Sequence, residues 1–124
     1  RLVVVFGCGG DRDQAKRGVM GEVACTYADG VFVTDDNPRH EDAAAIRRQV
    51  MAGCGAAVEI ADRGEAIRAA VAGLTEGDVL VIAGKGHEQG QIVKDDVRPF
   101  DDAEQVRAAV AAISAGVDET GAAS

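Results

Sequence analysis

A chain of 124 residues, 47% apolar and 27% charged, has the size and make-up of one globular domain and excludes wholesale disorder. Its net charge of −8 argues against a nucleic-acid platform, which needs basic stripes, and against binding to anionic membrane surfaces. No apolar run approaches the ~20 residues needed to span a bilayer.

The chain opens on a strand, Leu2–Phe6, which Arg1 enters with no turn, cap or methionine before it. An excised domain is therefore expected, and no signal peptide is visible. The loop "GCGGDRD" follows at 7–13. Met20, Val23, Ala24 and Tyr27 then recur at helical spacing and predict a helix with that stripe on the core. Residues 31–33 form a second strand, and "TDDNPRHED" follows at 34–42. Ala43, Ile46 and Val50 give a shorter helical stripe, with Gly53 placed to cap its C-terminus. Residues 56–60 read as a strand, and Ile67, Ala70, Val71 and Leu74 as a helix. Residues 79–83 are the next strand, followed by "GKGHEQG" at 84–90. A hairpin is expected over 91–94 and 97–100, on a sheet edge because Pro99 lacks a ladder donor. Asp101 with Glu104 reads as the capping start of a last helix carrying Val106, Ala109, Val110 and Ile113. Residues 115–124 read as a flexible tail after a domain spanning 1–114.

The strand runs are rich in Val and do not alternate, as in strands covered on both faces. Alternation of strand and helix predicts an α/β fold: a Rossmann-like, mostly parallel sheet with helices on both faces and an antiparallel edge strand or hairpin. Cys8, Cys25 and Cys54 are odd in number and form no C-x-x-C pair. They read as reduced thiols of a cytosolic protein, not as a disulfide frame or a zinc site.

Function is read from the loops. In a parallel doubly wound sheet the strand-to-helix loops emerge at one edge, and ligands bind in the crevice there. Arg12, Asp36, Asn37, Arg39 and Glu88 are therefore expected to converge. Arg12 and Arg39 offer forked donors suited to carboxylate or phosphate. Asp36 and Glu88 can hold an ammonium group. Pro38 stiffens its loop, and Gly84 with the other loop glycines lets backbone approach a ligand. A two-signed pocket suits a zwitterion.

Several motifs are absent. The glycines of 7–13 do not fit G-x-G-x-x-G, because Arg12 stands where the last glycine belongs. "GKG" lacks the rest of a phosphate-binding P-loop, and no metal set is spaced for a site. His40 and His87 stand apart and read as hydrogen-bonding residues. No Ser/His/Asp set is evident, and Asp-Asn-Pro alone is a common turn signal.

"VVVFGCGGDRDQAKR", "FVTDDNPRHED" and "VLVIAGKGHEQGQ" together resemble the C-terminal domain of the Mur ligases that add meso-diaminopimelate, with the motifs in the family's order. The resemblance runs from about residue 2 to about residue 112. Gly18 departs from it, since many relatives carry proline there. The resemblance implies that Arg12 and Arg39 hold the distal carboxylate of meso-diaminopimelate. It implies that Asp36, Asn37, Pro38 and Arg39 form the recognition loop, that Gly84 offers backbone, and that Glu88 takes the distal ammonium. Asp11, Asp13 and Lys16 fall beside the ATP-facing edge. No catalytic residue and no metal ligand is implied for this domain.

In the full-length enzyme the reaction implied is ATP- and Mg²⁺-dependent amide formation on a UDP-N-acetylmuramoyl dipeptide, in the cytoplasm. The UDP-binding and ATPase domains are not in this sequence. The partners implied are these small molecules and the enzyme's own other domains, with no nucleic acid and no membrane. A phosphoacceptor receiver domain shares the length, charge and alternation, with Asp35–Asp36, Asp62 and Lys85 as its acidic pair, acceptor and lysine. Its acidic pair should follow the first strand, where "GCGGDRD" stands. A stand-alone amino-acid-binding module, or another Mur-type or folate-type ligase, are the further alternatives.

Overall fold

The structure is a computed structural model and describes residues 1–11, 13–84 and 90–120. Its elements in chain order are β1 (Leu2–Phe6), α1 (Ala15–Tyr27), β2 (Gly30–Val33), α2 (Ala43–Met51), β3 (Val58–Glu59), α3 (Arg63–Ala72), β4 (Val79–Ile82), β5 (Gly90–Val93), β6 (Asp96–Pro99) and α4 (Asp102–Thr120). The first four strands form a parallel sheet in the order β3-β2-β1-β4.

Pleating of β1 divides the core. Val3 and Val5 join Ile67, Ala70 and Val71 of α3 and Ala109 of α4 on one face. Phe6 joins Val31 and Val33 of β2 and Ile46 and Val50 of α2 on the other. Helices thus cover both faces, as the unbroken apolar runs require. Val5, Val33, Val50 and Ile67 are wholly buried, and each contributes about 1.5–3 kcal/mol through apolar burial. Aspartates cap three helices: Asp42 accepts from the Ala44 amide, Asp62 from that of Glu65 and, as expected, Asp101 from that of Glu104.

Several expectations need correction. Most of the apolar stripe of α1 does not meet the core: Ala24 packs against it, but Met20, Val23 and Tyr27 are exposed, as is Val19. The buried residues of that helix are Arg17 and Gly21. A methyl group on Gly21 would lie 2.1 Å from the Val50 carbonyl oxygen, and one on Gly53 only 1.9 Å from that of Gly18. α1 and α2 therefore touch backbone to backbone through glycine, and Gly53 serves this approach instead of a left-handed cap. The apolar face of α1, with Val4, Phe6 and Ala83, lines an open groove of about 300 Å³.

Coverage on both faces fails at β4, where Val79 and Val81 are exposed. The strand expected over 56–60 shrinks to the two-residue edge strand β3. β5 and β6 pair antiparallel as expected but form their own two-stranded sheet instead of extending the main one. The last helix runs on to Thr120, through residues expected to be tail. Cys25 and Cys54 are joined in a disulfide, against the expectation of free thiols throughout. The end of α1 and the turn after α2 bring the two Cα atoms to 5.5 Å, a proximity that their separation of 29 residues does not advertise. Cys8 remains free and buried, and burial pushes its thiol pKa up.

Candidate functional site: a two-signed crevice at the strand ends

β2 and β4 flank β1 in parallel, so the loops after these three strands leave the sheet side by side. The buried Arg63 fixes this edge. Its Nε and Nη2 grip Asp102 at 2.8 Å each, while Nη1 donates to the Asp35 carbonyl and Nη2 to that of Ala83. One guanidinium thus ties the starts of α3 and α4 to the exits of β2 and β4.

The first two loops meet backbone to backbone. The Gly10 amide donates to the Asn37 carbonyl at 2.6 Å, and a methyl group on Gly10 would overlap the Pro38 carbonyl oxygen at 1.8 Å. Only glycine fits there. The third loop approaches through Gly84, whose φ of +105° suits glycine and whose absent side chain leaves room for Asp36 Oδ2.

The two aspartates after β2 have different fates. Asp35 is paired with Arg47, which also holds Glu59 at 2.9 Å. Burial raises the Asp35 pKa, with the Arg47 contact opposing that rise. Asp36 is buried and, with Asp13, Lys16 and Gly84, lines a cavity of about 360 Å³.

The hairpin holds the rest of this loop. Gln91 Nε2 donates to the Asp36 carbonyl at 2.7 Å, and the Ile92 amide donates to Asn37 Oδ1 at 2.8 Å. The second bond fixes the Asn37 amide, since its oxygen must face the hairpin. Arg39 adopts a left-handed φ of +52°, donates its amide to the Ile92 carbonyl and accepts from the Lys94 amide. Its Nη1 donates to the Gly10 carbonyl at 3.0 Å. Its Nε and Nη2 make no hydrogen bond among the described residues. Asp11, Arg39 and Lys94 are the three non-glycine residues with positive φ among the described residues. All three lie where the two loops and the hairpin tip meet, and His40 bridges that point. Its Nδ1 is 3.3 Å from Asp11 and its Nε2 2.9 Å from Asp95, and these carboxylates raise the His40 pKa.

Of the residues expected to converge, the structure brings together Asp36, Asn37, Pro38, Arg39 and Gly84, with Asp11, Asp13 and Lys16 beside them. Arg12 and Glu88 lie outside the described residues, as does His87. The sequence reading missed Arg17, Glu41 and Gln91. Arg17 is 1% exposed, and its fork holds both oxygens of Glu41 at 2.8 Å. That pairing, with the Asp11 amide, lowers the Glu41 pKa to about 2. A lysine-arginine pair in a helix reads as solvated charge. The position of Arg17 one turn before Gly21, on the glycine face of α1, is the only hint of burial.

Among the described residues, no group of three or more His, Cys, Asp or Glu side chains could hold a metal ion. No helix among them is long and apolar enough to cross a membrane.

Comparison with known proteins places this crevice in a family. The family described as "Mur ligase, glutamate ligase domain" matches residues 1–86. UDP-N-acetylmuramoyl-L-alanyl-D-glutamate–2,6-diaminopimelate ligase of Agrobacterium fabrum is 62% identical over 111 residues, covering 90% of this chain and 23% of the relative. The protein of that name from Bradyrhizobium diazoefficiens is 60% identical over the same length, covering 90% of this chain and 23% of its own. A solved structure of a ligase of this name superposes with a TM-score of 0.87 at 43% identity, covering 92% of this chain and 24% of that one. The chain thus spans about a quarter of the length of the relatives it matches. Matched in sequence over most of its length and in fold by a solved structure, the chain belongs to the Mur ligase family.

Proposed function

We propose that this chain is the amino-acid-binding part of an ATP-dependent ligase that joins meso-diaminopimelate to UDP-N-acetylmuramoyl-L-alanyl-D-glutamate in the cytoplasm, a step in building peptidoglycan precursors. The observation that carries this reading is the 36–39 loop. It sets Asp36 and the half-engaged fork of Arg39 on one sheet edge, within a fold whose named relatives are 2,6-diaminopimelate ligases. An amino acid with a second amino-acid head needs both signs of charge at its far end, and this loop supplies both.

In this reading Arg39, with Arg12, takes the distal carboxylate. Asn37 is oriented by the Ile92 amide so that its NH₂ group faces away from the hairpin. Asp36 and Glu88 balance the distal ammonium, and Gly84 keeps the third loop close. The domain's contribution to rate is to hold the nucleophilic amine in place and to close over the site. ATP with Mg²⁺ supplies activation of the glutamyl carboxylate when bound to the remainder of the full-length ligase. The sequence carries no P-loop, and Asp11, Asp13 and Lys16 are the residues it offers on the ATP-facing edge, Asp13 and Lys16 lining the cavity.

The test is Arg39→Ala in the full-length ligase. Loss of a charge-assisted contact in a partly desolvated site costs about 2–4 kcal/mol. KM for meso-diaminopimelate should rise far more than KM for ATP. Arg39→Lys should recover only part, since a point charge does not match a planar fork. Equal rises for both substrates would refute the assignment.

A further inference from the structure

We infer that Arg17 and Glu41 are positioning residues that set the spacing of the two loops carrying the amino-acid site; this rests on the function proposed above. Neither residue is one of 36–39, and both terminal nitrogens of the buried Arg17 guanidinium are taken up by protein acceptors, while its Nε has no partner among the described residues. Its Nη1 donates to Glu41 Oε2 and to Gln49 Oε1, both at 2.8 Å. Its Nη2 donates to Glu41 Oε1 at 2.8 Å and to the Gly9 carbonyl at 3.0 Å. Glu41 Oε1 also accepts the Asp11 amide at 2.7 Å.

The result is a continuous tether. Gly9 is held through its carbonyl by Arg17, Gly10 through its amide by Asn37 and its carbonyl by Arg39, and Asp11 through its amide by Glu41. Three successive residues of the first loop are thereby fixed to the second loop and to α2. The Arg17–Glu41 pair supplies the two outer ties. A charge-assisted fork buried at this depth keeps its geometry, because an unpaired charge there would be costly. Lysine in place of Arg17 cannot reach all four acceptor atoms at once.

Binding geometry should respond sharply to this pair. A shift of about 1 Å between binding groups, produced by a change away from the chemistry, can cost on the order of a hundredfold in rate. A purely architectural pair would instead lower stability and affect both substrates alike.

The experiment uses the full-length ligase with Glu41→Gln, Arg17→Lys and the double variant, each checked for wild-type thermal stability within a few degrees. The expected result is a rise of about tenfold in KM for meso-diaminopimelate with Glu41→Gln, against less than twofold in KM for ATP. The double variant should be no worse than the poorer single variant, because both break one unit. Glu41→Gln leaves Arg17 its bonds to Gln49 and Gly9, so it keeps the test alive if Arg17→Lys fails to fold. Parallel rises in both KM values, or additive losses in the double variant, overturn the inference while leaving the meso-diaminopimelate reading standing. A wild-type ligase that does not use meso-diaminopimelate overturns that reading, and the inference with it.

Discussion

At the scale of single residues, the site depends on backbone geometry that only particular side chains permit. Gly10 is glycine because the Pro38 carbonyl occupies the space a side chain would need. Asp11, Arg39 and Lys94 hold left-handed conformations that cost of order 1–3 kcal/mol each in a non-glycine residue. They are retained where two loops and a hairpin tip meet, and His40 pins that junction between two carboxylates. Its raised pKa has a definite sign. Stabilisation from the charged imidazole is fully present below the unfolded value of about 6.5 and is lost as pH rises through the folded value. An NMR titration should place the His40 midpoint above 6.5, and Asp95→Asn should move it downward. A midpoint unmoved by that substitution would show that the Asp95 contact is not made.

At the scale of elements, packing follows glycine as much as hydrophobicity. Periodicity reveals that α1 is a helix with an apolar face, but not which face meets its neighbour. Met20, Val23 and Tyr27 are exposed because Gly18, Gly21 and Arg17 face α2. Gly53→Ala should therefore destabilise the domain by about 1–3 kcal/mol through overpacking, although alanine is the better residue for most backbone positions. A lowered denaturation midpoint at unchanged m-value would verify this; an unchanged or raised midpoint would contradict the close α1–α2 approach.

The same limit explains what the sequence showed elsewhere. Strands β1, β2 and β4, all four helices and the hairpin were legible from local patterns, as was the capping Asp101, whereas the caps Asp42 and Asp62 were not read. The docking of β5 and β6 on the 34–42 loop was not, because it rests on Asn37 and Arg39 bonding to backbone groups more than fifty residues away. Within the site, Asp36 and Arg39 were legible through their charge and their place after a strand. Arg17 and Glu41 were not, because a buried ion pair and an exposed one look alike in sequence.

At the scale of the whole molecule, a parallel sheet gathers three loops distant in sequence, and glycines let them touch. The crevice so formed carries opposite charges, within a domain that is a quarter the length of its relatives. We propose that Arg39, with Arg12, reads the second carboxylate of the amino acid. Lysine lacks that carboxylate, and a site built for it would leave guanidinium groups unpaired when lysine enters. Such sites discriminate on the order of a thousandfold or more. The most direct measurement is competition kinetics of the full-length ligase with meso-diaminopimelate and lysine, for the wild type and for Arg12→Ala/Arg39→Ala. The ratio of specificity constants should be large in the wild type. It should collapse by at least about tenfold in the double variant, with the rate falling for meso-diaminopimelate and changing little for lysine. An unchanged ratio would contradict the claim and leave the 36–39 loop as a turn.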